Sequence, residues 1–207
     1  VKGVMVVDMA GLPVDLEPII ELSKRYKFVL IEDAAQAIGS EYKNKKIGSF
    51  EHTSTFSFTA AKIITTIEGG CITTGNKDIL EKLFQIRNFG RSGDGQYVHI
   101  LNSVNFRFND IQAALGLSQL KRLDKFIIKR HQIVKKYNSA FENKPIITPF
   151  QHPDNYSAFH LYIIRIKNTA VGLKRLDLFK KLRKTGILVN IHYIPIYQQP
   201  FYQKIGY

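Results

Sequence analysis

The chain has 207 residues, of which 44% are hydrophobic and 23% are charged, the composition of an ordinary globular protein. Its formal net charge of +13 admits nucleic acid, a membrane surface or an anionic small molecule as a partner. No apolar run is long enough to cross a bilayer. The single cysteine, Cys71, excludes a disulfide framework and fits a reducing cytoplasm. Its strand-like surroundings predict a packed, inert core side chain.

The first part of the sequence alternates strand and helix patterns. Apolar and β-branched runs predict strands at residues 4–8, 28–31, 53–58 and 70–74. Apolar residues at helical spacing predict helices at residues 16–26 and 78–89. Asp15 is placed to cap the first of these helices. The alternation predicts an α/β layered domain.

The sequence changes character towards its end. A glycine-rich polar segment at residues 90–96 predicts a mobile loop, and one long helical pattern covers residues 110–141. Beyond it, the patterns predict a strand, a basic amphipathic helix and a second strand at residues 158–166, 173–183 and 187–194. We therefore expect part of a large α/β domain over residues 1–122. A bridging helix and part of a smaller α+β domain are expected over residues 123–207.

Three polar residues follow the predicted strands. Asp33 and Ser57 lie at strand ends, and Lys62 stands in the turn before Gly69 and Gly70. Ligands of open α/β sheets bind at the carboxyl ends of the strands. Taken singly, Asp33 could cap a helix, Ser57 could stabilise a turn and Lys62 could be a surface charge. Together, such a lysine and aspartate are what pyridoxal phosphate (PLP) needs, because the lysine holds its aldehyde as a Schiff base and the aspartate keeps its pyridine nitrogen protonated.

Several further motifs stand in order along the chain. They are AGLPVD at 10–15, EDAAQ at 32–36, FSF at 56–58 with Lys62, EGG at 68–70, NFRFNDIQAA at 105–114 and HYIP at 192–195. With these motifs the whole chain resembles the DegT/StrS-type nucleotide-sugar aminotransferases, a branch of the fold-type I PLP-dependent enzymes. The resemblance implies part of the large-domain α/β sheet of that fold, followed by a smaller α+β C-terminal domain.

The resemblance assigns roles to five residues of a cofactor site. It implies that Lys62 forms the Schiff base and that Asp33 pairs with the pyridinium nitrogen. Gln36 corresponds to a residue that lies against the cofactor near its phenolic oxygen, and Ser57 to a hydroxyl that binds its phosphate. Asn105 corresponds to an asparagine that reaches the phosphate of the neighbouring subunit's cofactor. A homodimer with shared active sites is therefore implied.

The resemblance also implies a substrate class. Members of the family aminate nucleotide-linked keto-deoxy sugars, with glutamate as the expected amino donor. His192 and Tyr193 correspond to a segment near the sugar-nucleotide site. Residues 10–12 and 192–197 look most like those of enzymes that aminate UDP-linked 4-keto-6-deoxy-N-acetylhexosamines. Lysine rather than histidine at position 62 disfavours the dehydratase relatives.

Two departures from the family pattern bear on this chain. The family has a longer N-terminal part, with a turn that grips the phosphate and an aromatic residue that stacks on the ring, and it continues past Tyr207. We therefore expect the chain to be truncated at both ends. In addition, Thr59, Ala60 and Ala61 replace the usual His-Pro-Val type of step before Lys62.

Two other functions compete with this interpretation. A non-catalytic relative of the same fold would keep these motifs, and the expected truncation favours that alternative for this chain. A basic nucleic-acid-binding protein would account for the charge, although no zinc-finger spacing or RNA-binding aromatic signature supports it. The histidines outside position 192 show no metal spacing with Asp, Glu or Cys, so no metal site is expected.

Overall fold

The computed structural model describes residues 1–92, 97–167 and 175–206. The chain divides into two compact units, the first made of Val1–Glu142 and Thr148–Ile163 and the second of Asn143–Ile147 and Ile164–Tyr207. The helix predicted to bridge two domains after residue 122 thus packs with the first unit. The division at residues 122/123 in the whole protein stays a prediction.

Nine short strands form three sheets in the described part of the chain. They are β1 (Gly3–Val7), β2 (Val29–Asp33), β3 (Glu41–Tyr42), β4 (Lys45–Lys46), β5 (Thr53–Ser57), β6 (Gly70–Thr73), β7 (Ile146–Ile147), β8 (Asn155–Tyr156) and β9 (Arg165–Ile166). The main sheet has the order β1-β2-β5-β6; β1, β2 and β5 are parallel, and β6 runs antiparallel to β5. The predicted α/β class is confirmed.

Six α-helices accompany these strands in the described residues. They are α1 (Leu16–Tyr26), α2 (Lys77–Arg87), α3 (Asp110–Leu120), α4 (Leu123–Phe141), α5 (Arg175–Lys184) and α6 (Pro200–Lys204). The bounds of α1 are those that the sequence predicted. Asp15 occupies its N-cap position, but the carboxylate makes no cap hydrogen bond and accepts one from the Tyr42 hydroxyl at 2.5 Å.

The long predicted helix is two helices, α3 and α4, so its predicted length is wrong. α3 begins with a capping box, in which Asn109 Oδ1 accepts from the Gln112 amide at 2.8 Å and the Gln112 side chain accepts from the Asn109 amide. Lys121 and Arg122 form a turn between the helices, and the Arg122 amide donates to the Gln119 carbonyl at 3.0 Å. The sequence pattern hides this break because apolar residues continue across it.

Two predicted strands are wrong. Of residues 158–166, only Arg165 and Ile166 pair, with β7, and residues 187–194 form no strand in the described structure. The apolar residue Ala158 is buried in the core without belonging to a strand. Its amide donates to the Ser40 hydroxyl oxygen at 2.9 Å.

Parts of two other predictions lie outside the described residues. They are residues 93–96 of the predicted loop and residues 173–174 of the predicted basic helix. The described remainder of that helix is α5.

Two apolar clusters hold the first unit together. The first packs α1 against the main sheet and contains Leu16, Ala34, Ala37, Tyr42 and Ile47. The second contains Ile63, Ile64, Leu123, Ile127 and Ala158. Because Ile63 and Ile64 directly follow Lys62, the second cluster anchors the turn that carries this lysine.

Cys71 lies on β6, an edge strand of the main sheet, and is exposed. The prediction of a packed core cysteine is therefore wrong, because a strand pattern does not tell whether another layer covers the strand. Neighbouring atoms still desolvate the thiol enough to raise its pKa, which disfavours a nucleophilic role.

Among the described residues, no helix combines the length and the apolar character needed to cross a membrane.

The contribution of the first cluster can be measured on α1. Leu16 is fully buried, whereas Leu22 on the same helix is 45% exposed. We expect Leu16→Ala to lower the free energy of unfolding by about 2–5 kcal/mol, because it removes buried methyl groups and leaves a cavity. The matched Leu22→Ala change should cost less than about 1 kcal/mol. Urea unfolding followed by circular dichroism measures both; equal losses would contradict the packing described.

Candidate active site

Asp33 is the last residue of β2, which lies between β1 and β5. It pairs in register with Val7 of β1 and Thr55 of β5. Its side chain is half-buried, and Oδ1 accepts a hydrogen bond from the Ala35 amide at 3.1 Å. It makes no ion pair with any described residue. The sheet therefore holds a carboxylate at its carboxyl edge without a counter-charge.

Lys62 lies in the loop that leaves β5, the neighbouring strand. The loop closes on itself, since the Phe58 amide donates to the Gly69 carbonyl at 2.8 Å and the Thr66 amide donates to the Phe58 carbonyl at 2.9 Å. The Lys62 side chain is half-buried and has no acidic partner in the described structure. Because adjacent parallel strands end at the same edge, Lys62 and Asp33 belong to one edge of the sheet.

Two glycines shape the return of this loop into β6. Gly70 pairs with Ser57, and a Cβ atom at Gly70 would lie 2.7 Å from the Phe56 carbonyl oxygen. Gly69 has a φ of +145°, and a Cβ atom there would collide with the Phe108 ring. A side chain at either position would push the strand end and the loop apart.

Gln36 and Ser57, the other two residues predicted for this chain's own cofactor site, also lie near this edge. Gln36 follows β2, and its Oε1 accepts from the Ala10 amide at 2.7 Å. The Gln36 NH₂ group makes no hydrogen bond with any described residue. Ser57 ends β5, and its hydroxyl oxygen accepts from the Thr59 amide at 3.5 Å, the long limit of a hydrogen bond. The roles of both residues stay predictions.

Asn105 lies in the exposed chain before α3. Its Oδ1 accepts from both the amide and the Nε of Arg107, each at 3.1 Å. Arg107 thus fixes the direction of the Asn105 amide, a contact that the sequence analysis missed. No hydrogen bond or ion pair joins Asn105 to Asp33 or Lys62 within the described chain. Its predicted role concerns a neighbouring subunit and remains untested.

His192 and Tyr193 belong to the second unit and are exposed. Their rings meet edge to face, with centroids 4.2 Å apart and an interplanar angle of 84°. Their predicted proximity to a sugar nucleotide stays a prediction. No group of three or more His, Cys, Asp or Glu side chains that could hold a metal ion occurs in the described part of the chain.

The sequence analysis also missed a buried polar cluster beside Asp33. Glu32 is fully buried, and its Oε2 accepts from the Ser54 hydroxyl at 2.6 Å and lies 3.1 Å from His52 Nε2. Asp8, also fully buried, follows β1 on the same face of the sheet. The signal was available, since the period of two places Glu32 on the opposite face from Asp33, among apolar neighbours.

The fold is an α/β layout with polar side chains at the carboxyl edge of its main sheet, and comparison with known proteins gives the family. The family model described as "DegT/DnrJ/EryC1/StrS aminotransferase family" matches residues 1–207, the whole chain. The protein belongs to this family, and the predicted resemblance is confirmed.

Curated and solved relatives are similar over this whole chain. The UDP-4-amino-4,6-dideoxy-N-acetyl-beta-L-altrosamine transaminase of Helicobacter pylori is 39% identical over 99% of this chain and 55% of its own length. The structure of Helicobacter pylori PseC, an aminotransferase involved in the biosynthesis of pseudoaminic acid, superposes with a TM-score of 0.89 at 38% identity, covering 99% of this chain and 56% of that one. Spr1654 from Streptococcus pneumoniae, in its PLP form, gives a TM-score of 0.88 at 28% identity, covering 100% and 58%. The chain thus spans about half the length of these relatives.

The close approach at the Gly-Gly step can be tested with a matched pair of strand glycines. Gly70→Ala should lower the free energy of unfolding by about 1–3 kcal/mol, because the added methyl group meets the Phe56 backbone. At Gly3 a Cβ atom would lie at an ordinary 3.5 Å from the Val29 carbonyl oxygen. Gly3→Ala should therefore change the stability by less than about 1 kcal/mol. Denaturant unfolding measures the free energy of unfolding of both variants. A Gly70→Ala variant as stable as the wild type would refute the close approach of Gly70 to the Phe56 backbone.

Proposed function

We propose that the protein is a PLP-dependent aminotransferase that moves an amino group from an amino acid to a nucleotide-linked keto-deoxy sugar. Membership of the DegT/DnrJ/EryC1/StrS family supports this activity, and so does the name of the curated transaminase described above. The structural observation that carries the proposal is the placement of two half-buried, unpaired groups, Asp33 and Lys62, after adjacent parallel strands.

The residues of this edge fit the cofactor. A half-buried carboxylate without a counter-charge favours a protonated partner, so Asp33 suits a pyridine nitrogen. Lys62 has an amine that no acid neutralises and would attach to the aldehyde carbon. Ser57 offers a hydroxyl for the phosphate, and Gln36 offers its unused NH₂ group for the phenolic oxygen.

Each residue then has a defined task in amino transfer. When bound, PLP supplies an electron sink for the charge that develops at the α-carbon of the amino donor. Asp33 keeps the proton on the ring nitrogen, because its negative charge stabilises the neighbouring cation. Once the donor's amine has displaced it from the aldehyde carbon, the Lys62 amine would be the general base that takes the proton from the α-carbon and, as the conjugate acid, delivers it to that former aldehyde carbon. The reverse sequence aminates the keto sugar with the same residues.

The substrates are proposed from the relatives and the charge. We propose a UDP-linked 4-keto-6-deoxy-N-acetylhexosamine as acceptor, in line with the UDP-sugar name of the curated transaminase, and glutamate as donor. A net charge of +13 favours the approach of a nucleotide diphosphate, and His192 and Tyr193 are proposed to contact it. The single cysteine agrees with a proposed cytoplasmic location.

A homodimer with shared active sites is the proposed assembly. Asn105 is exposed, and its NH₂ group makes no hydrogen bond with any described residue. Because Arg107 occupies the Asn105 carbonyl oxygen, the NH₂ group is the end left to donate to an anion. We propose that this anion is the phosphate of the partner subunit's cofactor.

The cofactor assignment is tested by borohydride reduction of the full-length protein with PLP. We expect the reduced cofactor on the peptide that contains Lys62, and none on Lys62→Ala, because only this amine reaches the aldehyde carbon. Lys77→Ala, which removes an exposed lysine of α2, serves as the control and should label normally. Mass spectrometry locates the label; cofactor fixed on another lysine would overturn the assignment. A wild-type protein that binds PLP but aminates no UDP- or GDP-linked keto sugar would favour the non-catalytic relative.

Sharing of the active site predicts complementation between inactive subunits. Full-length Lys62→Ala and Asn105→Ala proteins should each lose most transaminase activity. Refolded together, they should recover about a quarter of the wild-type activity per subunit, because half of the dimers are mixed and one site in each keeps both residues. Activity assays on mixtures with a verified heterodimer fraction make the measurement. A heterodimer no more active than its parents would argue against sharing.

A further inference from the structure

The buried cluster behind Asp33 contains two carboxyl groups, Asp8 and Glu32, in a region that excludes water. Both side chains are 0% exposed. Glu32 lies in register with Ser54 on one side and with Val6 on the other, two residues before Asp8. Side chains two residues apart in a strand share a face, so the strands direct both carboxyl groups into the same interior layer.

The hydrogen bonds show which oxygen atoms remain without partners. Asp8 Oδ1 accepts from the Val14 amide at 3.0 Å. Glu32 Oε2 has two partners, the Ser54 hydroxyl at 2.6 Å and His52 Nε2 at 3.1 Å. The other two oxygens, Oδ2 of Asp8 and Oε1 of Glu32, are buried and have no hydrogen-bond partner among the described residues. Two buried acceptors without donors in one interior layer are costly, and a single proton shared between them would satisfy both.

We propose that Asp8 and Glu32 share one proton and that this neutral-acid and carboxylate pair positions Asp33 and Gln36 at the cofactor site. The pair is linked to both residues through the backbone. The Asp8 amide donates to the Asp33 carbonyl at 3.1 Å. The loop after Asp8 is bonded to the Asp8 carboxyl group through the Val14 amide. The same loop contains Ala10, whose amide donates to Gln36 Oε1 at 2.7 Å. The positioning role rests on the proposed function, whereas the shared proton does not.

Burial, reinforced by neighbouring negative charges, makes Asp8 the protonated member. Burial raises the pKa of Asp8 from its ordinary value of 3.8 to about 8, with the negative charge of Glu32 next in importance and that of Asp33 a smaller contribution. His52, from the segment that enters β5, acts through Glu32. β1 and residues 9–14 contribute no charged side chain, and Asp15, which follows them, accepts from the Tyr42 hydroxyl. Glu32 already accepts hydrogen bonds from Ser54 and His52. In the proposed pair it accepts a third hydrogen bond, from the protonated carboxyl group of Asp8.

A raised acid pKa has a definite sign in the pH dependence of stability. Between pH 3.8 and about pH 8 the folded protein binds a proton at Asp8 that the unfolded chain releases. The contribution of Asp8 to the stability of the wild type therefore falls across this window as the pH rises. In Asp8→Asn the side chain keeps the shape of aspartic acid, and its NH₂ group can donate a hydrogen bond to Glu32. The amide does not titrate, so this variant has no proton to lose at this position. Its melting temperature should rise relative to the wild type, by about 3 °C or more in total, between about pH 5 and pH 8.

The first test measures melting temperatures of full-length apoprotein from about pH 5 to pH 9. Asp78→Asn, which removes an exposed carboxylate on α2, is the matched control and should track the wild type at every pH. Glu32→Gln should reduce the pH dependence only in part, because it removes the charge that Asp8 faces but leaves the burial that does most to raise the pKa of Asp8. A difference between Asp8→Asn and the wild type that stays constant with pH would overturn the shared proton.

The second test separates positioning from simple packing through PLP affinity, measured by spectroscopic titration of the full-length proteins. Asp8→Ala releases the Val14 amide and should weaken PLP binding by about tenfold or more, because it lets the loop and Asp33 shift. Asp8→Asn should restore an affinity within about twofold of the wild type. An Asp8→Asn variant as weak as Asp8→Ala would show that the ionised carboxylate is needed and overturn the proposal. A wild type that binds no PLP would instead refute the proposed function and the positioning role, leaving the pH test to decide the shared proton.

Discussion

The site depends on one constraint, the parallel pairing of β2 between β1 and β5. Because both neighbours run in the same direction as β2, the three strands end at one edge. Asp33 and the loop that carries Lys62 therefore meet there without any direct bond between them. The register also determines which side chains lie inside the protein. Side chains alternate along β2, so Asp33 lies on one face and Glu32 on the other, where Glu32 is buried with Ser54 and Asp8.

The loop after β5 shows how packing supports a reactive side chain. Ile63 and Ile64 are buried against Leu123 and Ile127 of α4, so the residues directly after Lys62 are fixed by the core. Two glycines let the chain return close to β5. An exposed, mobile lysine would lose much conformational entropy on binding a cofactor. Here the backbone around Lys62 is already ordered before any ligand arrives.

Polar groups occur on both faces of the same strand for different reasons. Asp33 and Gln36 keep unpaired polar atoms at the sheet edge, which suits a ligand, whereas Glu32 has its partners inside the protein. At Asn105 one side chain is divided in a similar way: its carbonyl oxygen accepts hydrogen bonds from Arg107, and its NH₂ group is left without a partner among the described residues. In each case the direction of one half of a side chain is fixed by the chain itself, and the other half is available.

The sequence alone determined the α/β class, the bounds of α1, the strands of the main sheet and the family, because period, caps and ordered motifs are local properties. It failed where a local pattern has two tertiary outcomes. Apolar residues continue through the turn at Lys121 and Arg122, Ala158 is apolar through core packing rather than pairing, and Cys71 lies on an edge strand that is exposed. The period of two indicates a buried Glu32, but its partner Asp8 was hidden, since residues 24 positions apart in the sequence become neighbours only when β1 and β2 pair in register. Tertiary structure decided these points because burial and the loss of water around a carboxyl group depend on what packs across from it, which no local pattern records.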